Sequence, residues 1–259
     1  MIVTDIDGTL LGLDGLLPPE NSAALQAAAE RGVRLALATI RKRDSAEQIA
    51  RLLGVACTLV CDGGATIYDE QGARLHSQTI PLDLARSLAT LADQHRLPLL
   101  TTIDELNYYT PDSHPAAHLL TKGVDVASAL EVLDRPPSRF IVRGERGVGL
   151  LMRAFADAPL RFVRHYRADG TLFDAAITHI EATKETALAL LCQQWAIDPE
   201  QVLALGDAEA DIEMLRQAGV GVAVGNAQPP VRAAADWVAP DAAEAGVAAA
   251  VRRFVLEMA

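Results

Sequence analysis

Short apolar runs and helix-spaced apolar positions alternate along the first sixty residues. Ile2-Val3-Thr4 is a brief strand candidate. Leu17-Pro18-Pro19-Glu20-Asn21-Ser22 reads as a turn and helix start, followed by Leu25, Ala28 and Ala29 at helical spacing, and Arg31-Gly32 closes that helix with a basic last turn and a glycine stop. Val33 to Ala38 has the length of a buried strand, Ser45 to Leu53 reads as a helix stopped at Gly54, and Thr58 to Cys61 is a third strand. Strand, helix, strand, helix, strand with short joins predicts a parallel sheet with right-handed crossovers.

The middle of the chain changes rhythm. Ala65 to Tyr68 and Ala73 to Thr79 flank Asp69-Glu70-Gln71-Gly72 as a hairpin, and Leu82 to His95 reads as a helix. Strands are predicted at Leu97 to Thr102, Leu106 to Thr110, Ser138 to Arg143 and Leu160 to Tyr166, with one helix from Gly147 to Ala156. Strands broken by isolated helices fit an α+β arrangement. From Ile180 the alternation returns: a helix over Lys184 to Trp195, a strand over Gln201 to Leu205, a helix over Ile212 to Gln217, a strand over Val220 to Val224 and a last helix over Ala243 to Leu256. The simplest reading is a discontinuous α/β core, residues 1–78 and 180–259, interrupted by a second domain over 79–179.

Composition narrows the class. Half of the 259 residues are hydrophobic but only 4% are aromatic, so the core is expected to be built from Ala, Leu and Val. A formal net charge of -11 argues against nucleic acid or an anionic membrane as partner, although a phosphorylated ligand held through a divalent cation remains compatible with it. The first strand candidate begins at residue 2 without a basic leader, and three cysteines, Cys57, Cys61 and Cys192, lack paired metal spacing. Both features read as a cytoplasmic protein without a secretory leader. Cys57 and Cys61 flank a strand and are expected to be buried as small apolar residues.

Candidate chemistry gathers where predicted strands end. Asp5 and Asp7 stand two residues apart at the end of the first apolar run, before Gly8-Thr9. Open parallel sheets bind ligands at that end of their strands, and two carboxylates there repel unless a cation or a proton intervenes. An N-terminal strand followed by a plain Asp-Gly turn is the alternative. Thr39 closes Leu35-Ala36-Leu37-Ala38-Thr39-Ile40-Arg41, where a hydroxyl and backbone N–H groups can hold phosphate oxygens, although a lone Thr there is more often a helix cap. Lys184 opens a predicted helix, where it opposes the macrodipole, so either an anionic partner holds it or it is simply solvated. Asp207, Glu209 and Asp211 follow the strand Val202-Leu203-Ala204-Leu205, and a dipole-favoured acidic helix start is the reading for Glu209 and an alternative for Asp211. Several carboxylates with few histidines favour Mg²⁺ as the cation.

In order and approximate spacing, Asp5-Ile6-Asp7-Gly8-Thr9, Thr39, Lys184 and Gly206-Asp207-x-x-x-Asp211 resemble the haloacid dehalogenase superfamily. Gly63-Gly64-Ala65-Thr66-Ile67-Tyr68-Asp69, Ala187-Leu188 and Gly219-Val220-Gly221-Val222-Ala223-Val224-Gly225-Asn226-Ala227 narrow the resemblance to the Cof-type phosphatases. It implies a Rossmann-like parallel-sheet core with an inserted α+β cap that closes over the core mouth and selects the substrate. Asp5 would be the nucleophile that becomes an aspartyl phosphate, and Asp7 the general acid and then base. The Asp5 carboxylate, the Asp7 backbone carbonyl and Asp207, supported by Asp211, would hold Mg²⁺. Thr39 and the Ile40 N–H would bind phosphate oxygens, and Lys184 would neutralise charge on Asp5 and the transferring group. A Mg²⁺-dependent phosphatase of small phosphorylated metabolites is the implied activity, acting as a monomer or small homo-oligomer; a phosphotransferase or phosphomutase, or a catalytically weakened phosphate-binding protein, are the alternatives.

Three positions depart from the family pattern. Ile40 stands where glycine is usual, and a positive φ there would strain a β-branched residue. Ala210 stands where asparagine is usual, and Glu185 where glycine commonly follows the lysine. Lost contacts of this kind are expected to weaken transition-state binding by roughly 1 to 3 kcal/mol. In the cap, Tyr108, Tyr109, His114, His118, Lys122 and Arg139 are candidates to reach a ligand, with a surface role equally compatible for each.

Overall fold

A computed structural model describes residues 1–113, 123–167 and 169–257. The contacts divide the chain into two compact units, Met1–His76 with Thr183–Ala259, and Ser77–Ala182.

In the first unit the apolar tetrapeptides are the central strands. β1 (Ile2–Thr4), β2 (Leu35–Ala38), β3 (Thr58–Cys61), β4 (Thr66–Tyr68) and β5 (Arg74–Ser77) come from the first segment, and β12 (Leu203–Gly206), β13 (Val220–Ala223) and β14 (Trp237–Val238) from the last. The sheet order is β14-β13-β12-β1-β2-β3-β4-β5. All pairs from β14 to β3 are parallel, and β4 turns back antiparallel to β3. The strand at the start of the chain therefore lies in the middle of the sheet, hydrogen-bonded to β12 on one side and β2 on the other.

Continuous apolar strands suit a sheet buried on both faces. Ile2, Leu35, Leu37, Leu203 and Leu205 point to a layer formed by α1 (Pro19–Glu30), α2 (Arg43–Leu53) and α8 (Gly246–Val251). Val3, Ala36, Ala38, Val60 and Ala204 point to a layer formed by α5 (Lys184–Trp195) and α6 (Ile212–Gln217). Both cores are almost entirely Ala, Leu, Val and Ile, with Tyr68 the one large aromatic side chain fully buried there. The three cysteines form no disulfide and are buried, and burial pushes the Cys57 thiol up to about 12, which leaves it inert.

The second unit is a six-stranded sheet, order β10-β11-β9-β6-β7-β8, made of β6 (Leu99–Ile103), β7 (Leu106–Tyr109), β8 (Gly123–Asp125), β9 (Arg139–Arg143), β10 (Leu160–Tyr166) and β11 (Leu172–His179). Every pair is antiparallel except β7 with β8. α3 (Leu82–Gln94) and α4 (Glu145–Ala154) cover one face through Leu88, Ala92, Val148 and Leu151 against Phe140, Val142, Ala175 and Ile177. On the other face Thr102 Oγ1 donates to Asn107 Oδ1 (2.9 Å), Asn107 Nδ2 donates to the Tyr109 hydroxyl (3.2 Å) and Arg139 Nε donates to Thr102 Oγ1 (3.3 Å). Tyr109 and Arg139 thus belong to a polar ladder, Tyr108 is half-buried, and His114, His118 and Lys122 lie outside the described residues.

Four elements had weak signals. β11 carries Asp174 and two alanines, poor strand formers, and is held by pairing on both sides; Asp174 Oδ1 meets His165 Nδ1 across the strands at 2.7 Å. β8 and β14 are edge strands of three and two residues, and α7 (Pro229–Ala234) is a short Pro-led helix. The predicted last helix is interrupted. A 3₁₀ turn spans Ala242–Glu244, Ala245 adopts φ 58°, and α8 starts only at Gly246, continuing as a π turn over Arg252–Leu256. A Cβ on Gly246 would lie 2.2 Å from the Pro240 carbonyl oxygen, so the chain passes itself too closely there for one straight helix.

Candidate active site

Asp5 follows β1 directly and its N–H donates to the Leu205 carbonyl (3.0 Å), extending the parallel ladder one residue beyond the strand. Its carboxylate is thereby set at the carboxyl edge of the sheet, where it is 6% exposed. The chain then turns through Gly8 (φ +81°), where a Cβ would come within 2.6 Å of Asp207 Oδ2, so only glycine fits. Thr9 Oγ1 donates to Asp207 Oδ1 (2.8 Å), and Asn226 Nδ2 donates to the Gly8 carbonyl (2.7 Å) while its Oδ1 accepts from Ala242 N (2.8 Å).

β12 delivers the second acidic pair. Asp207 follows Gly206, and a 3₁₀ turn over Glu209–Asp211 folds Asp211 back beneath it. Asp211 is fully buried, and its Oδ2 accepts from the N–H groups of Asp207 (3.1 Å) and Ala208 (3.0 Å). Asp211 is thus more than an acidic helix start: one oxygen takes the N–H groups at the head of the turn and the other takes Lys184. Glu209 is exposed and fits the acidic helix start.

Lys184 is the first residue of α5, behind Thr183, whose hydroxyl accepts from Thr186 N (3.2 Å). It is 4% exposed and donates at 2.6 Å to both Asp5 Oδ1 and Asp211 Oδ1. The solvated alternative is thus replaced by a buried triad in which one ammonium bridges two carboxylates. Among the described residues, Lys184 Nζ pairs with Asp5 and Asp211 and makes no ion pair with Glu185. Gly64 (φ +112°) touches the same joint: a Cβ there would lie 2.2 Å from the Thr183 carbonyl oxygen.

Burial dominates the electrostatics. It drives the Asp5 carboxyl up to about 7, with Lys184 pulling down and Asp211 pushing up. Burial would lower Lys184, but Asp211 and Asp5 outweigh it and hold the ammonium above its ordinary range. Asp207 is also raised, by burial first, against the Thr9 hydroxyl bond that favours its anion. One ammonium among Asp5, Asp207 and Asp211 leaves negative charge in excess. Carboxylate oxygens of these three residues lie within 4.8 Å of one another, a donor set of hard oxygens that fits a small divalent cation.

Thr39 is fully buried after β2. Its N–H donates to the Val60 carbonyl (2.8 Å), and its hydroxyl accepts from Arg41 N (3.1 Å). Asp62 N donates to the Arg41 carbonyl and Gly63 N to the Thr39 carbonyl, both at 2.9 Å, so the Thr39-Ile40-Arg41 loop is braced along its backbone. Ile40 avoids positive φ and its side chain is 48% exposed, so the strain foreseen for a β-branched residue there is not present. Ala210 sits half-buried in the 3₁₀ turn.

Asp5, Lys184, Asp207 and Asp211 converge; the Asp7 side chain does not join them. Arg41 holds it instead, Nε to Oδ2 at 2.7 Å and Nη2 to Oδ1 at 2.6 Å, with Nη1 donating to Ser45 Oγ (3.0 Å). Sequence reasoning assigned no role to Arg41, Thr9 or Asn226, although all three stand inside the stretches that carried the resemblance.

A parallel α/β sheet with acids on two adjacent strand ends and a helix-borne lysine between them puts these groups where open α/β sheets bind ligands. The chain belongs to the haloacid dehalogenase-like hydrolases, whose family model matches residues 2–251. A 5-amino-6-(5-phospho-D-ribitylamino)uracil phosphatase from Bacillus subtilis is 25% identical, over 99% of this chain and 96% of that protein. A pyridoxal phosphate phosphatase from Escherichia coli is 27% identical over 93% of each. Among solved structures, TM0651 from Thermotoga maritima superposes with a TM-score of 0.86 at 19% identity, covering 98% of this chain and 96% of that one, which speaks to the fold.

Proposed function

We propose that the protein is a Mg²⁺-dependent phosphatase of small phosphorylated metabolites, sugar phosphates and similar monoesters, working through an aspartyl phosphate on Asp5. The buried Asp5–Lys184–Asp211 triad carries this reading. A nucleophilic carboxylate must meet an anionic phosphate, and fixed positive charge against Asp5 is what makes that encounter tolerable. The phosphatase relatives support the same substrate class.

In the proposed reaction an Asp5 oxygen attacks phosphorus as the ester P–O bond breaks, and Asp7 protonates the leaving oxygen. Asp7 then takes a proton from the water that attacks the aspartyl phosphate, freeing inorganic phosphate and restoring Asp5. The Thr39 hydroxyl and the Ile40 N–H hold non-bridging oxygens. Lys184 orients Asp5 and favours its ionised form against the burial that raises it. Asp5, Asp207 and Asp211 with the Asp7 backbone carbonyl would hold Mg²⁺, which supplies positive charge to offset the phosphoryl oxygens. Residues 77–182 are the cap that selects the substrate, and three buried cysteines without a disulfide accord with a cytoplasmic setting. We read the acting species as a monomer or small homo-oligomer.

Asp5→Asn tests the reading. Phosphate release from a panel of monoesters in Mg²⁺ should fall about 10³-fold or more, with the far-ultraviolet spectrum and melting cooperativity retained. Full Mg²⁺-dependent turnover by the Asn variant would overturn the mechanism.

A further inference from the structure

The mechanism gives Asp7 a proton-transfer role, yet both of its oxygens are engaged by one guanidinium. That fork fixes the orientation of the Asp7 carboxylate on Arg41 rather than on a leaving group. Building on the phosphatase reading, we propose that Arg41 exchanges partners: its fork holds Asp7 in the ligand-free protein and moves onto the phosphate dianion when substrate binds, which frees Asp7.

Four observations carry the exchange. First, the backbone around Arg41 is fixed, by the Arg41 N–H to the Thr39 hydroxyl and by Asp62 N to the Arg41 carbonyl, so motion is left to the side chain. Second, that side chain is 27% exposed and its Asp7 partner 50% exposed. Water can therefore solvate each end as the fork turns. Third, Arg41 stands two residues from Thr39, on the loop assigned to phosphate oxygens, and the negative charge of Asp5 also acts on its guanidinium. Fourth, the other cation, Lys184, is committed by two buried bonds, so Arg41 is the one of the two that can move.

The chemistry favours the trade. A phosphate dianion accepts the same two-pronged fork as a carboxylate and carries more charge. Ser45 Oγ, in the first turn of α2, gives Nη1 a pivot on which the fork can swing. Recognition of the dianion and release of Asp7 then become one event. A phosphodiester, which presents a single negative charge, should turn the fork less readily and leave Asp7 engaged.

A double-mutant cycle read by calorimetry, with inorganic phosphate as probe and Mg²⁺ present, tests the exchange. Asp7→Asn frees the fork and should tighten phosphate binding about fivefold, a coupling typical of contacting charged groups. Arg41→Ala should weaken binding about tenfold. In the Arg41→Ala background, Asp7→Asn should change affinity less than about twofold. Equal tightening by Asp7→Asn in both backgrounds, or unchanged affinity in Arg41→Ala, overturns the exchange. Arg41→Gln replaces Arg41→Ala in the cycle if the latter melts abnormally. If no variant and not even the wild type binds phosphate, the phosphatase reading itself fails; if phosphate binds and Asp5→Asn blocks turnover while the cycle shows no coupling, only the exchange fails.

Discussion

Both units bury polar side chains, but of different kinds. Beside neutral groups such as Thr9, Asn21 and Thr39, the first buries ions: Asp5, Asp211 and Lys184 are each at most 6% exposed, clustered within one hydrogen-bond network. The second buries mainly neutral groups, Thr102, Asn107, Thr110 and Ser113, which hydrogen-bond one another or the backbone; its buried acid Asp174 is paired with His165. A neutral ladder is complete in itself and serves packing. A cluster with three carboxylates and one ammonium is incomplete without further positive charge, so its stability depends on what binds there.

The widest separation between the units should come from Lys184→Met. Removing the ammonium strands two buried carboxylates, and chemical denaturation should show a loss of about 3–5 kcal/mol. The sign with pH follows from Asp5. Its carboxyl is raised in the folded state to about 7, so the folded protein binds more protons than the unfolded one between roughly pH 4 and 7. Stability conferred by protonation is lost as pH rises through that window, and the Met variant should be weaker at pH 8 than at pH 5. Equal losses at both would show that the cluster is not charge-limited.

A smaller effect is expected from the cation alone. Mg²⁺ at 100 times its dissociation constant should stabilise the wild type by about 2.7 kcal/mol. The Asp207→Asn, Asp211→Asn pair should lose that response; a response that survives in the double variant would place the cation elsewhere. Smallest is Asn107→Ala in the second unit, which removes one partner from each of the Thr102 and Tyr109 hydroxyls and should cost about 1 kcal/mol. That loss should be the same with and without Mg²⁺, and a Mg²⁺-dependent loss would dissolve the contrast between the units.

The same contrast governs how much was legible in the chain. Central strands announce themselves because both faces are buried, so Thr58–Cys61 and the helix Lys184–Trp195 stand in the structure as the pattern drew them. β11 did not, because its strand character comes from two neighbours and a cross-strand His165–Asp174 pair that no local window contains. At the candidate site, Lys184 was legible because it offends the helix dipole, and Asp211 only by its spacing. The Asp7–Arg41 fork was not, since nothing in Thr39-Ile40-Arg41 says which of several acids the guanidinium reaches. Ile40 went the other way: the sequence warns of strain, and the loop avoids it by staying out of positive φ.

The position of β1 has a kinetic consequence. Its ladder partner β12 begins 201 residues downstream, Leu203 against Ile2, and the ammonium that offsets Asp5 arrives 179 residues after it. Until both have been synthesised, one flank of the nascent sheet stays open and its acid has no counter-ion. Pairings of such long sequence separation are slow to close. Assembly of the first unit should therefore trail completion of the inserted one, with the catalytic edge among the last parts to become ordered.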